Sequence, residues 1–152
     1  MKAVVQRIWN ASVVADGENA GKGAQGLLIL LGVVAEDTDE EARLLASKVA
    51  KLRIFCDDEG KMNRSVADIG GDIVVVSNFT LAADIKKGTR PSFDKAMAPA
   101  EADRLYELFV AELRGLGIHT ETGVFGAKME INMICDGPVT IIMDTDIWRK
   151  DK

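Results

Sequence analysis

An unbroken apolar run near the start of the chain is the feature that most constrains the fold. Residues 27–34 read LLILLGVV, with no polar or charged side chain. A half-exposed strand would alternate apolar and polar residues, whereas a run of this kind is typical of a strand covered on both faces. A second run, Ile73–Val76, leads into polar residues at 77 and 78 and predicts another central strand. The sequence therefore predicts a sheet with a buried centre.

Two amphipathic segments predict helices that pack on such a sheet. The first follows Thr38, which precedes Glu41 by the three residues of a capping box. The second opens at Pro99, a residue suited to the first helical position, and is stopped by Gly115 and Gly117. Apolar residues recur at helical spacing in both: Ala42, Leu45, Val49 and Leu52, then Ala102, Leu105, Phe109 and Leu113.

The remaining segments predict a mixed fold. Further strands are predicted at residues 2–14, 53–56, 118–122, 127–134 and 139–147. We interpret Gly21, Gly23 and Gly26 as turn residues, and residues 62–71 as a loop. Mixed β-sheets with two main helices predict a single α/β (mixed α+β) domain over residues 1–147. The last residues, 148–152, are expected to form a polar, frayed tail.

Composition excludes several classes of protein. The 152 residues carry a formal net charge of -5, so any contact with nucleic acid requires a local basic patch. Two cysteines and one histidine, His119, show no metal-motif spacing, and we expect neither a metal nor a cofactor. The apolar runs fall far short of the roughly 18 residues of a membrane span. With no signal-peptide pattern at its start, the chain is expected to be cytoplasmic.

Two segments could carry chemistry. Ser77, Asn78 and Thr80 place polar side chains where a buried strand ends, which is a common position for a site. They could equally satisfy backbone groups where strand pairing stops. Gly137-Pro138 reads locally as an ordinary turn between two strands. We interpret His119 as a surface residue, and both cysteines as small buried apolar residues, because neither adjoins a basic cluster.

Segments along nearly the whole chain resemble the D-aminoacyl-tRNA deacylases, formerly called D-tyrosyl-tRNA deacylases. They occur in the family's order at residues 1–7, 28–33, 61–65, 77–81, 90–93, 123–127 and 135–140. Two of them are signature motifs, the SQFTL-like SNFTL and the NxGPxT-like CDGPVT. Asn78 stands where the family usually has glutamine, and Cys135 where it usually has asparagine.

The resemblance implies an aminoacyl-tRNA editing hydrolase. It would cleave D-aminoacyl-tRNA, and glycyl-tRNA(Ala) as well, to free tRNA and free amino acid. Its catalytic segment would be Ser77, Asn78, Phe79 and Thr80. Thr80 is the weaker candidate for a nucleophile because the sequence offers it no base. Backbone amides near Phe79 and Thr80 would instead stabilise the oxyanion, while the substrate's own 2′-hydroxyl helps activate water.

The resemblance also implies a homodimer with active sites at the subunit interface. The Gly137-Pro138 turn, with a cis bond, would enter the partner's pocket and reject L-aminoacyl-tRNA. Arg7 would hold that turn, while Phe125 and Met129 would lie near the substrate.

Charge in one loop suggests where tRNA binds. Lys86, Lys87 and Arg90 form a basic cluster that Arg64 could join, although a solvated loop explains the same residues. A nucleic-acid-binding module without catalysis is the rival function, and the acidic pI of about 4.9 weighs against it. A third possible function is that of a deacylase directed at another misacylated tRNA.

Overall fold

Eight strands and two α-helices make up residues 1–149, the part of the chain that the computed structural model describes. Along the chain they are β1 (Lys2–Ala15), β2 (Glu18–Gly23), β3 (Gly26–Gly32), α1 (Asp39–Ala50), β4 (Phe55–Cys56), β5 (Met62–Arg64), β6 (Asp72–Ser77), α2 (Pro99–Gly115), β7 (Thr120–Thr122) and β8 (Met129–Asp144). Short 3-10 helices follow β6 and β8, at Phe79–Ala82 and Thr145–Trp148. The predicted mixed fold with two main helices is confirmed.

Strand β1 organises the main sheet. One of its edges pairs antiparallel with β3 along its first half and with β2 along its second half. Its other edge pairs antiparallel with β8. Beyond β3 the sheet continues through β6 and β7, which run parallel to β3. The result is a six-stranded mixed sheet, accompanied by the small antiparallel pair β4–β5.

The central strands β3 and β6 are buried on both faces, as their apolar runs predict. Alternate residues enter a large core beneath the helices: Leu27, Ile29, Leu31, Ile73 and Val75, packed with Leu45, Val49, Leu105 and Phe109 among others. The intervening residues enter a smaller core: Leu28, Val74 and Val76, packed with Ile8, Ala11 and Val13 of β1. The second half of β1 therefore covers the face of the sheet that the helices leave open.

Both helices begin as predicted. The Glu41 carboxylate accepts the N–H of Thr38 at 2.6 Å, while the Glu40 N–H donates to the Thr38 hydroxyl at 3.3 Å. These bonds satisfy amides that the first turn leaves without helical partners. Pro99 lies in the first turn of α2. Neither helix within residues 1–149 is long and apolar enough to cross a membrane.

The interpretation of Gly21, Gly23 and Gly26 as turn residues is wrong, because all three lie in strands. Gly21 lies within β2 and Gly26 begins β3, and neither has a positive φ. A Cβ on Gly21 would lie 2.3 Å from the carbonyl oxygen of Thr122 in β7. Positions 21 and 26 require glycine because the backbone of another strand passes too close for any side chain, a constraint that arises only in the folded chain.

Two other strand predictions need correction. Met62–Arg64, predicted as loop, forms β5 and pairs with β4. The two strands predicted at 127–134 and 139–147 are one strand, β8, because both halves pair with β1. No hairpin separates them, and residues 136–139 form a bulge instead. Between the pairs Gln6–Thr140 and Ile8–Cys135, one residue of β1 faces four of β8.

The predicted frayed tail is wrong for its first two residues. Trp148 packs against the large core, and the Lys48 ammonium lies 5.2 Å from the centre of its ring. The Arg149 guanidinium lies 3.2 Å from both the Asp37 and the Glu41 carboxylates. Residues 150–152 lie outside the described part of the chain.

We expect Gly21→Ala to destabilise the protein by about 1–3 kcal/mol, because the new methyl group overlaps backbone that cannot move independently. Urea unfolding measures the change. Gly115→Ala is the matched control, since nothing lies within 4 Å of a Cβ at that helical position. It should leave stability unchanged or raise it by up to about 1 kcal/mol. Equal effects of the two substitutions would contradict the close approach of β2 to β7.

Candidate active site

The predicted catalytic segment lies where β3 and β6 end side by side. The Asn78 N–H donates to the Leu31 carbonyl at 2.8 Å, just beyond the end of β6. The chain then leaves the sheet in the 3-10 turn Phe79–Ala82. Parallel strands that end together open a crevice at their carboxyl edge, and side chains at this edge can reach a bound molecule.

The side chain of Asn78 caps this turn. Its Oδ1 accepts the N–H of Thr80 at 3.2 Å and also accepts the Thr80 hydroxyl. The N–H of Leu81 donates to the Asn78 carbonyl at 3.3 Å. Within residues 1–149, the N–H of Phe79 has no acceptor. Of the amides at positions 79–81, Phe79 therefore supplies the free donor.

A pocket of about 570 Å³ adjoins the turn. Ser77, Asn78 and Phe79 form one side of it. Apolar and aromatic residues form most of the rest, including Leu31, Phe93, Met97, Tyr106, Phe125 and Met129. None of the lining residues carries a charged side chain. Such a pocket suits an uncharged group whose polar atoms are held at one side.

Aromatic contacts shape two walls of the pocket. The rings of Phe79 and Phe93 meet edge to face, with 5.1 Å between centroids. Tyr106 and Phe125 are tilted against each other at 5.8 Å. The Tyr106 hydroxyl donates to the Val75 carbonyl at 2.9 Å, which fixes its ring to β6. Burial raises the pKa of Tyr106 well above its ordinary value, so this phenol stays neutral.

The structure brings five of the predicted residues together at the pocket and leaves Thr80 beside it. Phe125 and Met129 share the pocket with Ser77, Asn78 and Phe79. Thr80 is not among the lining residues, and its hydroxyl donates to an amide oxygen. An amide oxygen is too weak a base to take up that proton, so the geometry does not activate Thr80 as a nucleophile.

The Gly137–Pro138 segment forms a second group, away from the pocket of its own chain. Both residues are exposed, belong to the bulge of β8 and do not line that pocket. The peptide bond between them is cis, as the resemblance implies. Arg7 lies at the base of the bulge. Its guanidinium contacts the Asp136 carboxylate at 3.1 Å and donates to the Ile54 carbonyl at 2.7 Å.

The basic loop lies beside the pocket. Backbone bonds of 2.8 and 2.9 Å between Asp84 and Ser92 close the loop that carries Lys86, Lys87 and Arg90. All three basic residues are exposed. The loop leads directly into Phe93 of the pocket wall. The N–H of Lys86 and the Lys95 ammonium hold the pKa of Asp84 below its ordinary value, so its carboxylate stays charged at the base of the loop.

The remaining residues that the sequence singled out do not line the pocket. Arg64 is paired with Asp58 at 3.0 Å. His119 is exposed, as predicted, in a shallow groove that does not include the turn at 78–82. The expectation that both cysteines are buried is wrong, since Cys56 and Cys135 are exposed. Cys56 lies in the short edge pair β4–β5, and Cys135 lies next to the bulge of β8, so neither faces a core.

Phe93, Met97 and Tyr106 are among the pocket residues that sequence reasoning did not assign. A signal was present for Phe93, since it closes the RPSF segment on which the family resemblance partly rests. Tyr106 falls directly beside Leu105 in the buried stripe of α2, where the pattern indicates only core packing. Met97 lies in irregular chain before α2 and carries no local signal.

Comparisons with known proteins give one consistent answer. The family model described as "D-Tyr-tRNA(Tyr) deacylase" matches residues 4–144. A D-aminoacyl-tRNA deacylase of Roseiflexus sp. (strain RS-1) is 53% identical over 152 residues, covering 100% of this chain and 98% of the relative. Its counterpart from Deinococcus radiodurans is 53% identical over 144 residues, covering 95% of this chain and 99% of the relative.

Solved structures agree in fold. A structure named "c-Myc DNA Unwinding Element Binding Protein" matches with a TM-score of 0.88 and 39% identity, over 95% of this chain and 98% of that one. Another, named "Structural Analysis of a probable eukaryotic D-amino acid tRNA deacylase", matches with a TM-score of 0.81 over 93% of this chain and 97% of that one. At 16% identity, the second likeness shows the fold alone.

We expect Arg7→Ala to lower the free energy of unfolding by about 2–3 kcal/mol, because it removes charged hydrogen bonds from a buried site. Arg64→Ala is the matched control, since it also breaks an Arg–Asp pair, but an exposed one. It should cost less than about 1 kcal/mol. Both values come from urea unfolding, and similar losses would show that Arg7 does not anchor the bulge.

Proposed function

This chain belongs to the D-Tyr-tRNA(Tyr) deacylase family, a family of hydrolases, and we propose that it removes D-amino acids from tRNA by cleaving their ester bond. The observation that carries the proposal is the pocket beside the SNFTL turn. There Phe79, whose N–H has no acceptor within residues 1–149, lines a largely apolar cavity of about 570 Å³. The size and lining of this cavity suit the terminal adenosine of tRNA, with the ester at the turn.

The chain's own groups support a mechanism without a protein nucleophile. Water adds to the ester carbonyl, and the Phe79 N–H stabilises the negative charge that develops on the carbonyl oxygen. The bond between the carbonyl carbon and the ribose oxygen then breaks, and the ribose oxygen leaves with a proton that the attacking water has given up. Since the Thr80 hydroxyl donates to Asn78, the vicinal 2′-hydroxyl of the substrate is the group proposed to assist the water.

A homodimer would complete the site. Several large apolar side chains of β8, and Trp9 of β1, are exposed in the single chain: Ile131, Met133, Ile134 and Ile142, the last at 78%. Burial of these side chains against a second copy would be favourable. The Gly137–Pro138 bulge projects from the same strand and does not line its own pocket. We place it in the pocket of the partner.

This arrangement would select against L-amino acids sterically. Main chain occupies the space into which an L side chain would project, and proline has a restricted φ and no N–H. The Arg7–Asp136 contact holds the base of the bulge. A D side chain would point away from the bulge, and glycine has no side chain to exclude. Glycyl-tRNA(Ala) is therefore a proposed second substrate.

The basic loop is the proposed contact for the tRNA backbone. Lys86, Lys87 and Arg90 are exposed next to Phe93, so a tRNA whose end enters the pocket would pass them. The overall charge of -5 means that attraction must come from this local cluster.

Binding to duplex DNA is the second candidate, favoured by the likeness to the 39% identical structure, whose name describes a protein that binds a DNA unwinding element. The acidic composition weighs against it. Tight duplex binding that weakens steeply with salt, with no turnover of acylated tRNA, would support this candidate over the deacylase.

A panel of aminoacyl-tRNAs tests the proposed reaction. We expect hydrolysis of several D-aminoacyl-tRNAs and measurable hydrolysis of glycyl-tRNA(Ala). L-alanyl-tRNA should react at least about 100-fold more slowly, a transition-state difference of about 2.7 kcal/mol. Release of labelled amino acid measures each rate, with enzyme-free samples as the control. Efficient hydrolysis of L-alanyl-tRNA would contradict the steric filter.

Mixing two inactive variants tests the shared site. Phe79→Pro removes the free N–H, and Phe79→Ala, which removes only the ring, is its control. Pro138→Gly removes the fixed wall that the bulge is proposed to add to the partner's pocket, so we expect dimers of this variant alone to lose most deacylation of D-aminoacyl-tRNA. Exchange of Phe79→Pro and Pro138→Gly subunits at equal amounts makes half the dimers mixed, and one site in each mixed dimer is intact. We therefore expect about a quarter of the wild-type deacylation rate. No recovery, with subunit exchange verified, would contradict a bulge that serves the partner.

A further inference from the structure

We propose that Asn78 is a positioning residue that holds Thr80 and leaves the Phe79 N–H as the turn's free oxyanion donor. This proposal rests on the proposed deacylase function. It assigns Asn78 a role toward its own chain, which is one of the two alternatives that the sequence left open for the polar residues after the buried strand.

The hydrogen bonds around the turn carry the inference. Asn78 Oδ1 accepts the Thr80 N–H at 3.2 Å and the Thr80 hydroxyl as well. Both bonds use the same oxygen, because a backbone N–H can only donate and so must face the acceptor end of the amide. The Thr80 N–H is thereby occupied, and it is not available to a substrate carbonyl.

Chain geometry explains why asparagine suits this role. Asn78 has extended backbone, with φ of -148° and ψ of 90°, directly before the 3-10 helix, which is the conformation of a helix N-cap. From that position a short side chain reaches the N–H two residues ahead. Glutamine is one methylene longer and is not a preferred cap, so Asn78→Gln should not reproduce the contact.

The role of the Asn78 cap follows from the one N–H of the turn that it leaves without an acceptor. The N–H of Phe79 precedes the capped amide and has no acceptor within residues 1–149. Phe79 also lines the pocket, and its ring rests on Phe93 at 5.1 Å. Asn78 at one end and Phe93 at the side therefore hold the orientation of this residue. An oxyanion donor is effective only when it is fixed before the charge develops.

Amide hydrogen exchange on the free protein tests the cap without any substrate. We expect the Thr80 N–H to exchange roughly fivefold faster in Asn78→Ala than in the wild type, because its acceptor is lost. Asn78→Gln should also exchange faster. Asn78→Ser, which supplies another short capping oxygen, should retain slow exchange. Equally slow exchange in Asn78→Ala would overturn the proposal.

Steady-state deacylation of D-tyrosyl-tRNA tests the positioning role. In Asn78→Ala we expect kcat to fall about tenfold while KM changes less than about threefold. The reason is that the variant weakens stabilisation of the transition state by the turn but leaves the surface that binds the substrate in place. Asn78→Ser should recover most of that loss in kcat. A rise in KM with unchanged kcat, or equal losses in the alanine and serine variants, would overturn it.

The two measurements separate this inference from the proposed function. If the wild-type protein released no amino acid from any D-aminoacyl-tRNA, the proposed function would fail and the positioning role with it. Faster exchange of the Thr80 N–H in Asn78→Ala than in the wild type would then still show that Asn78 caps the turn. If the wild type is active but exchange at Thr80 is fast, only the role of Asn78 is wrong.

Discussion

The backbone hydrogen bonds of β1 position the strands that carry the pocket and the bulge. Because buried N–H and C=O groups must be paired, this one strand needs partners along both edges, and it takes β8 on one side and β3 then β2 on the other. The pairing with β3 places the parallel edge at which the pocket opens. The pairing with β8 breaks opposite Arg7, and the Gly137–Pro138 bulge leaves the sheet at that point. The positions of the pocket and of the bulge therefore both depend on β1.

The site itself relies on backbone. Its free donor is the amide of Phe79, its one hydroxyl in the turn donates to an asparagine, and its lining carries no charged side chain. Side chains here hold the main chain in place: Asn78 at the turn, Tyr106 at β6 and Arg7 at the bulge. Such a site can favour a transition state by fixed dipoles without a general base from the protein. A substrate that brings its own vicinal hydroxyl fits this division of roles.

Local patterns were sufficient for the elements whose signal lies within a few neighbouring residues. The capping box at Thr38, the proline at the start of α2 and the apolar run at 27–34 each depend on one segment of chain, and each was predicted correctly. The errors share the opposite property. The requirement for glycine at position 21 comes from the close approach of Thr122, which lies 101 positions away. Similarly, β8 is one strand only because both of its halves pair with β1. No window of sequence contains such a contact.

The same distinction separates what the sequence determined about the site from what tertiary structure decided. The order of the motifs was enough to indicate the family, and the polar residues after the buried strand 73–76 were enough to single out a candidate segment. Only the folded chain brings Phe125 and Met129 to that segment, adds Phe93 to the wall and leaves Gly137–Pro138 outside its own pocket. Only the folded chain, too, turns Asn78 back onto Thr80. Residue types record which groups are available, whereas hydrogen bonding and packing between distant segments decide which of those groups remain free to act.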